Sequence, residues 1–202
     1  MNKTAFFQGF YCSLAAKGAW IGLFALCFSV QAQPVRVLFE TGLGEIVLEL
    51  DAVHAPRTVE NFLRYVDAGS YTGGVFHRTV TMQNQDQSPV KIEVIQAGPG
   101  AQAKSFGPIA LERSSKTGLK HKDGVLSMAR SGPDTATSDI FICIGNQPEL
   151  DFGGKRNPDG QGFAAFGVVV KGMDVVRKIQ SAPADGQKLK PPIAIKRAVR
   201  IP

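Results

Sequence analysis

The sequence predicts a mainly β fold: about eight antiparallel strands closed into a barrel, accompanied by two short helices. Three observations carry this reading. The 22 glycines and 12 prolines are spread along 202 residues without a short period, as in a chain that turns often. Segments rich in β-branched and aliphatic residues recur, mostly joined by short turns, which favours an antiparallel sheet closed on itself. Only two stretches carry apolar residues at helical spacing, too few crossovers for a doubly wound parallel sheet.

The elements follow in chain order. Val35 to Glu40 and Glu45 to Leu50 flank Gly42-Leu43-Gly44 and read as a hairpin. Pro56 suits a first helical turn, Val59, Phe62, Leu63 and Val66 fall at i, i+3, i+4 and i+7, and Gly69 supplies the stop. Val75 to Thr79 and Ile92 to Gln96 are the next strands. Between them, Val80 to Lys91 is polar, Gln-rich and holds Pro89, which a central strand excludes, so it reads as a surface insertion. Gly124 to Ala129, Asp139 to Ile144 and Phe163 to Val170 are three further strands, the last two separated by a polar loop with Asn157-Pro158-Asp159-Gly160. Asp174 to Ile179 is a second short helix. Ile193, Ile195, Val199 and Ile201 alternate with Lys196, Ala198 and Arg200 in a half-buried closing strand. The bases Lys188, Lys190, Lys196, Arg197 and Arg200 then read as the solvated face of an edge strand, not a polyanion site.

The first 32 residues are set apart. Lys3 and Lys17 precede the 13-residue apolar run Gly18 to Val30, which leads into Val30-Gln31-Ala32, a small-residue pattern of the kind signal peptidases cut after. The run falls short of the roughly 20 residues a bilayer core requires, which disfavours the alternative of a retained anchor. Residues 1–32 therefore read as a signal peptide and 33–202 as a single domain, periplasmic or secreted, with no stable membrane insertion after cleavage. Removing Lys3 and Lys17 takes the net charge from +6 to +4, too mild to call for nucleic-acid binding. Cys12 and Cys27 leave with the segment, so no intrachain disulfide is possible, and Cys143, within an aliphatic strand, reads as a buried hydrophobe.

Several chemistries are excluded by motif. His54, His77 and His121 are not spaced as metal ligands with Cys or carboxylate support, so no metal site is expected. Ser127 and Ser138 lack a Gly-x-Ser-x-Gly elbow, and nothing singles out a hydrolase triad. Gly98-Pro99-Gly100 is not followed by Lys-Ser/Thr, so it is not a phosphate loop.

The remaining motifs, taken in order, are Ala55-Pro-Arg-Thr-Val-Glu-Asn-Phe62, Phe76-His-Arg78, Ile95-Gln-Ala-Gly98, Gly124-Val-Leu-Ser-Met-Ala-Arg130, Ser138-Asp-Ile-Phe-Ile142, Leu150-Asp151, Phe166-Gly167 and Gly172-Met-Asp-Val-Val176. Through them the chain closely resembles the cyclophilin family of peptidyl-prolyl cis/trans isomerases over nearly all of Val35 to Ile201. The resemblance implies an eight-stranded antiparallel barrel capped by two helices, an enzyme that accelerates X-Pro isomerisation during folding of exported proteins, and no cofactor. It implies Arg78 as the catalytic arginine and Gln96 as the glutamine that fixes it and the substrate backbone. Phe141 and Leu150 would wall the proline pocket with Val94, which stands where the family usually has methionine. Ala129 and Arg130 match a stretch whose main chain lies along the bound peptide. Phe163 lies near the family's pocket histidine and is a further candidate. The partners implied are proline-containing polypeptides, and the expected state is a monomer.

Departures bear on detail. Glu93 stands where the family has a pocket phenylalanine, Asp139 and Ile140 replace glutamine and phenylalanine, and Glu149 lies where many members have tryptophan. By strand alternation His77 would project away from Arg78 and be structural. The competing reading is a non-catalytic cyclophilin-like peptide-binding module or chaperone. Arg78 separates the two, since a pure binder has no need of a guanidinium beside an apolar pocket. An unrelated small-ligand barrel would predict none of the ordered motifs.

Overall fold

Val35–Thr41 (β1) and Gly44–Leu50 (β2) pair antiparallel, from Val35 opposite Leu50 to Thr41 opposite Gly44, in a computed structural model that describes residues 34–202. Gly42 and Leu43 alone make the turn, as the hairpin signal predicts. The expected signal segment lies outside the described residues. The chain continues through α1 (Pro56–Asp67), β3 (Val75–Val80), β4 (Val94–Gly98), α2 (Ser114–Thr117), β5 (Val125–Met128), β6 (Ile140–Cys143), β7 (Ala164–Lys171), α3 (Met173–Gln180), β8 (Ala184–Asp185) and β9 (Lys188–Ile201). A single 3-10 turn, Pro148–Leu150, precedes β7.

Neighbours in the sheet run β1-β2-β7-β5-β6-β4-β3-β9, and β9 pairs again with β1, which closes an eight-stranded antiparallel barrel. The two-residue β8 only folds back on the start of β9. Two expectations are corrected. A third helix, α2, is present; its four residues are too few to carry a periodic stripe, and Gly118 ends it in the left-handed region at φ 74°. The closing strand is not an edge, because β9 is paired with both β3 and β1. Its basic side chains do face solvent, where Arg197 meets Glu40 at 2.8 Å and Arg200 meets Asp67, exposed pairs worth at most about 1 kcal/mol each.

Alternation along the strands sends Val37, Phe39, Ile46, Leu48, Ile95, Ala97, Leu126, Met128, Ile140, Ile142 and Phe166 into one shared core. The stripe of α1 joins it: Phe62 packs against Phe39, Tyr71 and Phe166, with ring centroids 6.2, 5.3 and 5.3 Å away. Helix α1 has no acidic residue of its own in its first turn. The carboxylate of Glu112 takes that place, accepting from the Thr58 amide at 2.8 Å and the Thr58 hydroxyl at 2.6 Å. Val175, Val176 and Ile179 of α3 cover another part of the core. No described helix is long and apolar enough to cross a membrane.

A second, smaller apolar cluster lies on the opposite face of the same strands. Val80, Val94, Phe141, Cys143 and Leu150 form it together with Ile92, and Ala129 and Phe163 pack on its margin. This explains why every residue of β6 is buried: Ile140 and Ile142 point into the barrel, and Phe141 and Cys143 point outward into the second cluster. Burial pushes the Cys143 thiol pKa far up, with the charges of Asp151 and Asp123 adding to it, so Cys143 is an inert filler.

Candidate active site

The outer cluster floors a cavity of about 230 Å³ lined by Arg78, Ile92, Val94, Gln96, Ala129, Arg130, Phe141, Leu150, Arg156, Asn157 and Phe163. That volume is below the roughly 300–1,000 Å³ of sites that bury a drug-sized ligand, so it suits one ring and a stretch of backbone. All eight residues picked out by the resemblance line it. Among the described residues no group of three or more His, Cys, Asp or Glu is placed to hold a metal ion.

A bulge puts Arg78 there. Phe76 faces the barrel core, and strict alternation would send Arg78 the same way, a prohibitive place for a guanidinium. The register of β3 shifts between Phe76, opposite Ala97, and Arg78, opposite Gln96, so the extra residue His77 turns Arg78 outward. The same bulge corrects the expectation for His77. Its Nε2 lies 3.7 Å from Asp139 Oδ2, the oxygen that accepts from Gln96 Nε2 at 3.1 Å, so His77 borders the site beside Arg78.

Neutral amides hold the guanidinium. Arg78 Nη1 donates to Gln96 Oε1 at 3.1 Å, while Nε and Nη2 donate to Gln187 Oε1 at 2.9 and 2.6 Å. Gln187 is held in turn by donating to the Asn84 carbonyl at 3.0 Å. A guanidinium has five N–H donors, so one remains on each Nη. Burial draws the Arg78 pKa down, from a starting point so high that the group stays charged. No carboxylate of the described residues lies within ion-pair distance of it.

The opposite wall is equally fixed. Phe163 meets Phe141 edge-on at 5.3 Å, and Arg130 lies over Phe163 with its guanidinium carbon 4.9 Å from the ring centre. The Arg130 side chain is fully buried, donating to the Gly162 carbonyl and gripping both oxygens of Asp159 at 2.7 and 2.9 Å. It clamps the loop before β7, so only its main chain is available to a ligand. The Ala129 amide donates to the main-chain carbonyl of Asp139 at 2.8 Å, whereas the Ala129 carbonyl and Arg130 amide have no hydrogen-bond partner among the described residues.

Behind Phe141 stands an arrangement that the sequence motifs do not reveal. His121 Nδ1 lies 2.8 Å from Asp151 Oδ1, and its Nε2 lies 2.9 Å from Ser127 Oγ. The order of groups is that of a hydrolytic triad, but Ser127 is 0% and His121 2% exposed, so no substrate reaches the hydroxyl. Instead the row supports the pocket floor: the His121 ring stacks on Phe141 at 5.9 Å and 16°. Burial raises the Asp151 pKa, but hydrogen bonds from the His121 side chain and amide, with the charges of His121 and Lys120, outweigh it and leave the carboxyl lowered. A carboxyl with a lower pKa folded than unfolded stabilises the fold above its unfolded pKa, and the contribution fades as pH falls through the folded value. Asp151→Asn is therefore expected to lose about 1–3 kcal/mol at neutral pH and to show a flatter loss of stability below about pH 4. Urea unfolding across the acid range measures both; equal slopes for the two proteins would contradict it.

The structure also reassigns residues around the insertion. Strand β4 starts at Val94, and Ile92 is tied instead by Gln85, whose amide accepts from the Ile92 N–H at 3.2 Å and donates to its carbonyl at 2.7 Å. Gln85 is 3% exposed, so the insertion is more than a surface excursion. Glu93 points away from the pocket, accepting from Gln180 of α3 at 3.2 Å, and Ile92 lines the wall in its stead. Glu149 is turned onto its own loop, accepting from the Lys155 amide at 2.7 Å. Gln187, Ile92, Arg156 and Asn157 are site residues that sequence reasoning missed. For Ile92, period-two alternation back from Gln96 and Val94 was the available signal; Gln187 is 109 residues from Arg78 and carried none.

A closed eight-stranded barrel with an arginine and a glutamine beside an outer apolar pocket defines a recognisable class. The chain belongs to it: the family model for cyclophilin type peptidyl-prolyl cis-trans isomerases matches residues 36–200. A peptidyl-prolyl cis-trans isomerase of Streptomyces antibioticus is 38% identical over 149 residues, covering 71% of this chain and 82% of that one. Peptidyl-prolyl cis-trans isomerase B of Escherichia coli is 36% identical over 148 residues, covering 71% and 83%. The crystal structure of a cyclophilin type isomerase of Cryptosporidium parvum shares the fold, with a TM-score of 0.66 at 24% identity over 84% of this chain and 98% of that one.

Proposed function

We propose that the cavity catalyses X-Pro isomerisation with Arg78 as the catalytic residue. An X-Pro bond rotates over a barrier of about 20 kcal/mol because twisting breaks amide resonance and leaves a localised lone pair on the prolyl nitrogen. A donor aimed at that lone pair binds the twisted state better than either planar state, and that difference is catalysis. The observation that carries the reading is the guanidinium of Arg78, held at one edge by Gln96 and at another by Gln187, with its remaining donors beside Phe141, Leu150 and Val94. The apolar residues take the proline ring. The Ala129 carbonyl and Arg130 amide, without a hydrogen-bond partner among the described residues, supply main-chain partners for the peptide. A proline-limited refolding assay tests the proposal: the slow phase accelerates with enzyme concentration if it holds and is unchanged if the chain is only a peptide-binding module.

The composition of the first 32 residues supports export, so the clients are proteins folding in a periplasm or outside the cell, and the enzyme acts as a monomer. Mass spectrometry of the protein recovered from the cell envelope or medium is expected to show loss of residues 1–32. An intact Met1 in a membrane fraction would support the anchor instead.

A further inference from the structure

We propose that Arg156 gives the pocket a second cationic subsite, which selects a carboxylate side chain next to the substrate proline. The inference rests on the reading of the cavity as an X-Pro site and extends it to substrate class. Arg156 lines the same cavity as Arg78 and comes from the loop after Leu150. The insertion holds it: the two N–H groups of Nη1 are shared among Gln85 Oε1 at 2.9 Å, Ser88 Oγ at 2.7 Å and the Val90 carbonyl at 2.5 Å, one of them bifurcated. All three anchors fall on Nη1, so Nε and Nη2 have no hydrogen-bond partner among the described residues. That edge of the planar fork is the one that pairs with a carboxylate in bidentate fashion.

The surroundings leave the charge uncompensated. No residue lining the cavity is acidic. No carboxylate of the described residues lies within ion-pair distance of Arg156. Asp159 is held by Arg130, Asp139 by Gln96, Glu149 by the Lys155 amide and Glu93 by Gln180. Two half-buried guanidiniums therefore face one small cavity. Both guanidiniums line this cavity, and burial, then the charge of Arg78, lower the pKa of Arg156. An anionic side chain placed between them relieves that repulsion, and a lysine there adds to it. The buried Gln85 has the corresponding structural purpose: its amide joins Thr81, Ile92 and Arg156, so the insertion fixes the arginine at the rim.

The test uses short peptides with Glu, Gln or Lys immediately before or after a single proline, assayed with the whole protein for kcat/KM and, separately, for Kd by NMR titration. For at least one of the two positions, Glu is expected to exceed its isostere Gln by about tenfold in both measures, with Lys below Gln. Raising the salt to about 0.5 M should erode the Glu preference, because the charges are partly exposed. Arg156→Gln should bring the Glu to Gln ratio close to one, and Arg156→Lys should retain part of it, which separates loss of charge from loosening of the insertion. A Glu to Gln ratio near one at both positions in the wild type, or an unchanged ratio in Arg156→Gln, overturns the proposal. Failure to turn over any peptide would count against the isomerase reading alone, since the Kd ratios still decide the carboxylate subsite.

Discussion

Arg78→Ala is expected to fold normally and to lose about 10²- to 10³-fold in kcat/KM for X-Pro isomerisation, the size of effect that follows loss of one preorganised donor at a developing charge. The donor is preorganised because Gln96 and Gln187 fix the guanidinium from two sides before substrate arrives, so no reorientation is needed at the top of the barrier. Folding should be spared. The side chain stands on the outer face of β3, and its partners are polar groups that water can satisfy once it is gone. Arg78→Lys should recover little, since an ammonium cannot reach Gln96, Gln187 and the substrate together through a planar fork. A variant close to wild type in kcat/KM would remove Arg78 from the mechanism.

The largest stability effect is expected at the junction of β7 and α3. Gly172 sits at φ 95°, in the region that favours glycine, and a Cβ there would lie 2.2 Å from the backbone oxygen of Glu45 and 3.1 Å from Ile46 Cα. Both contacts are backbone of β2, a central strand of the barrel, so neither can swing aside. The conformational penalty of about 1–3 kcal/mol and a similar cost for moving packed backbone together put Gly172→Ala at roughly 3–5 kcal/mol. Gly42→Ala is the control: a Cβ there meets nothing within 4 Å, and the change should stay within about 0.5 kcal/mol. Urea unfolding should show a lower midpoint with an unchanged slope for Gly172→Ala alone. A loss as small as that of the control would mean that the junction relaxes without involving β2.

What was legible in the sequence follows from range. Local signals worked where one element explains itself: the two-residue turn at Gly42-Leu43 and the α1 stripe from Val59 to Val66. On β9 alternation held only for Ile193, partly buried, and Ile195, buried; the register against β1 shifts between Glu40 and Thr41, and Ala198 enters the core where Val199 was expected. The outer pocket was legible only through the resemblance, because Phe141 and Leu150 look like core residues to any count of hydrophobicity, and they are in fact buried. Alternation failed at Arg78 because a bulge is a property of two paired strands, and His77 carries no mark that it is the extra residue. The anchors Gln187 and Gln85 were illegible for a related reason. Each is an ordinary amide in a polar loop, and its value arises from a partner far along the chain, 109 residues away for Arg78 and 71 for Arg156.

Exchange NMR on an Ala-Pro peptide, with catalytic amounts of the protein, tests the central claim most directly, because it reads the turnover of the bond and the location of the peptide in one sample. The account predicts cis and trans peptide signals exchanging far faster than the uncatalysed tens of seconds, and peptide-induced shifts centred on Val94, Gln96, Ala129 and Phe141. Peptide shifts at those residues with no acceleration of exchange would contradict it and leave a binding module in its place.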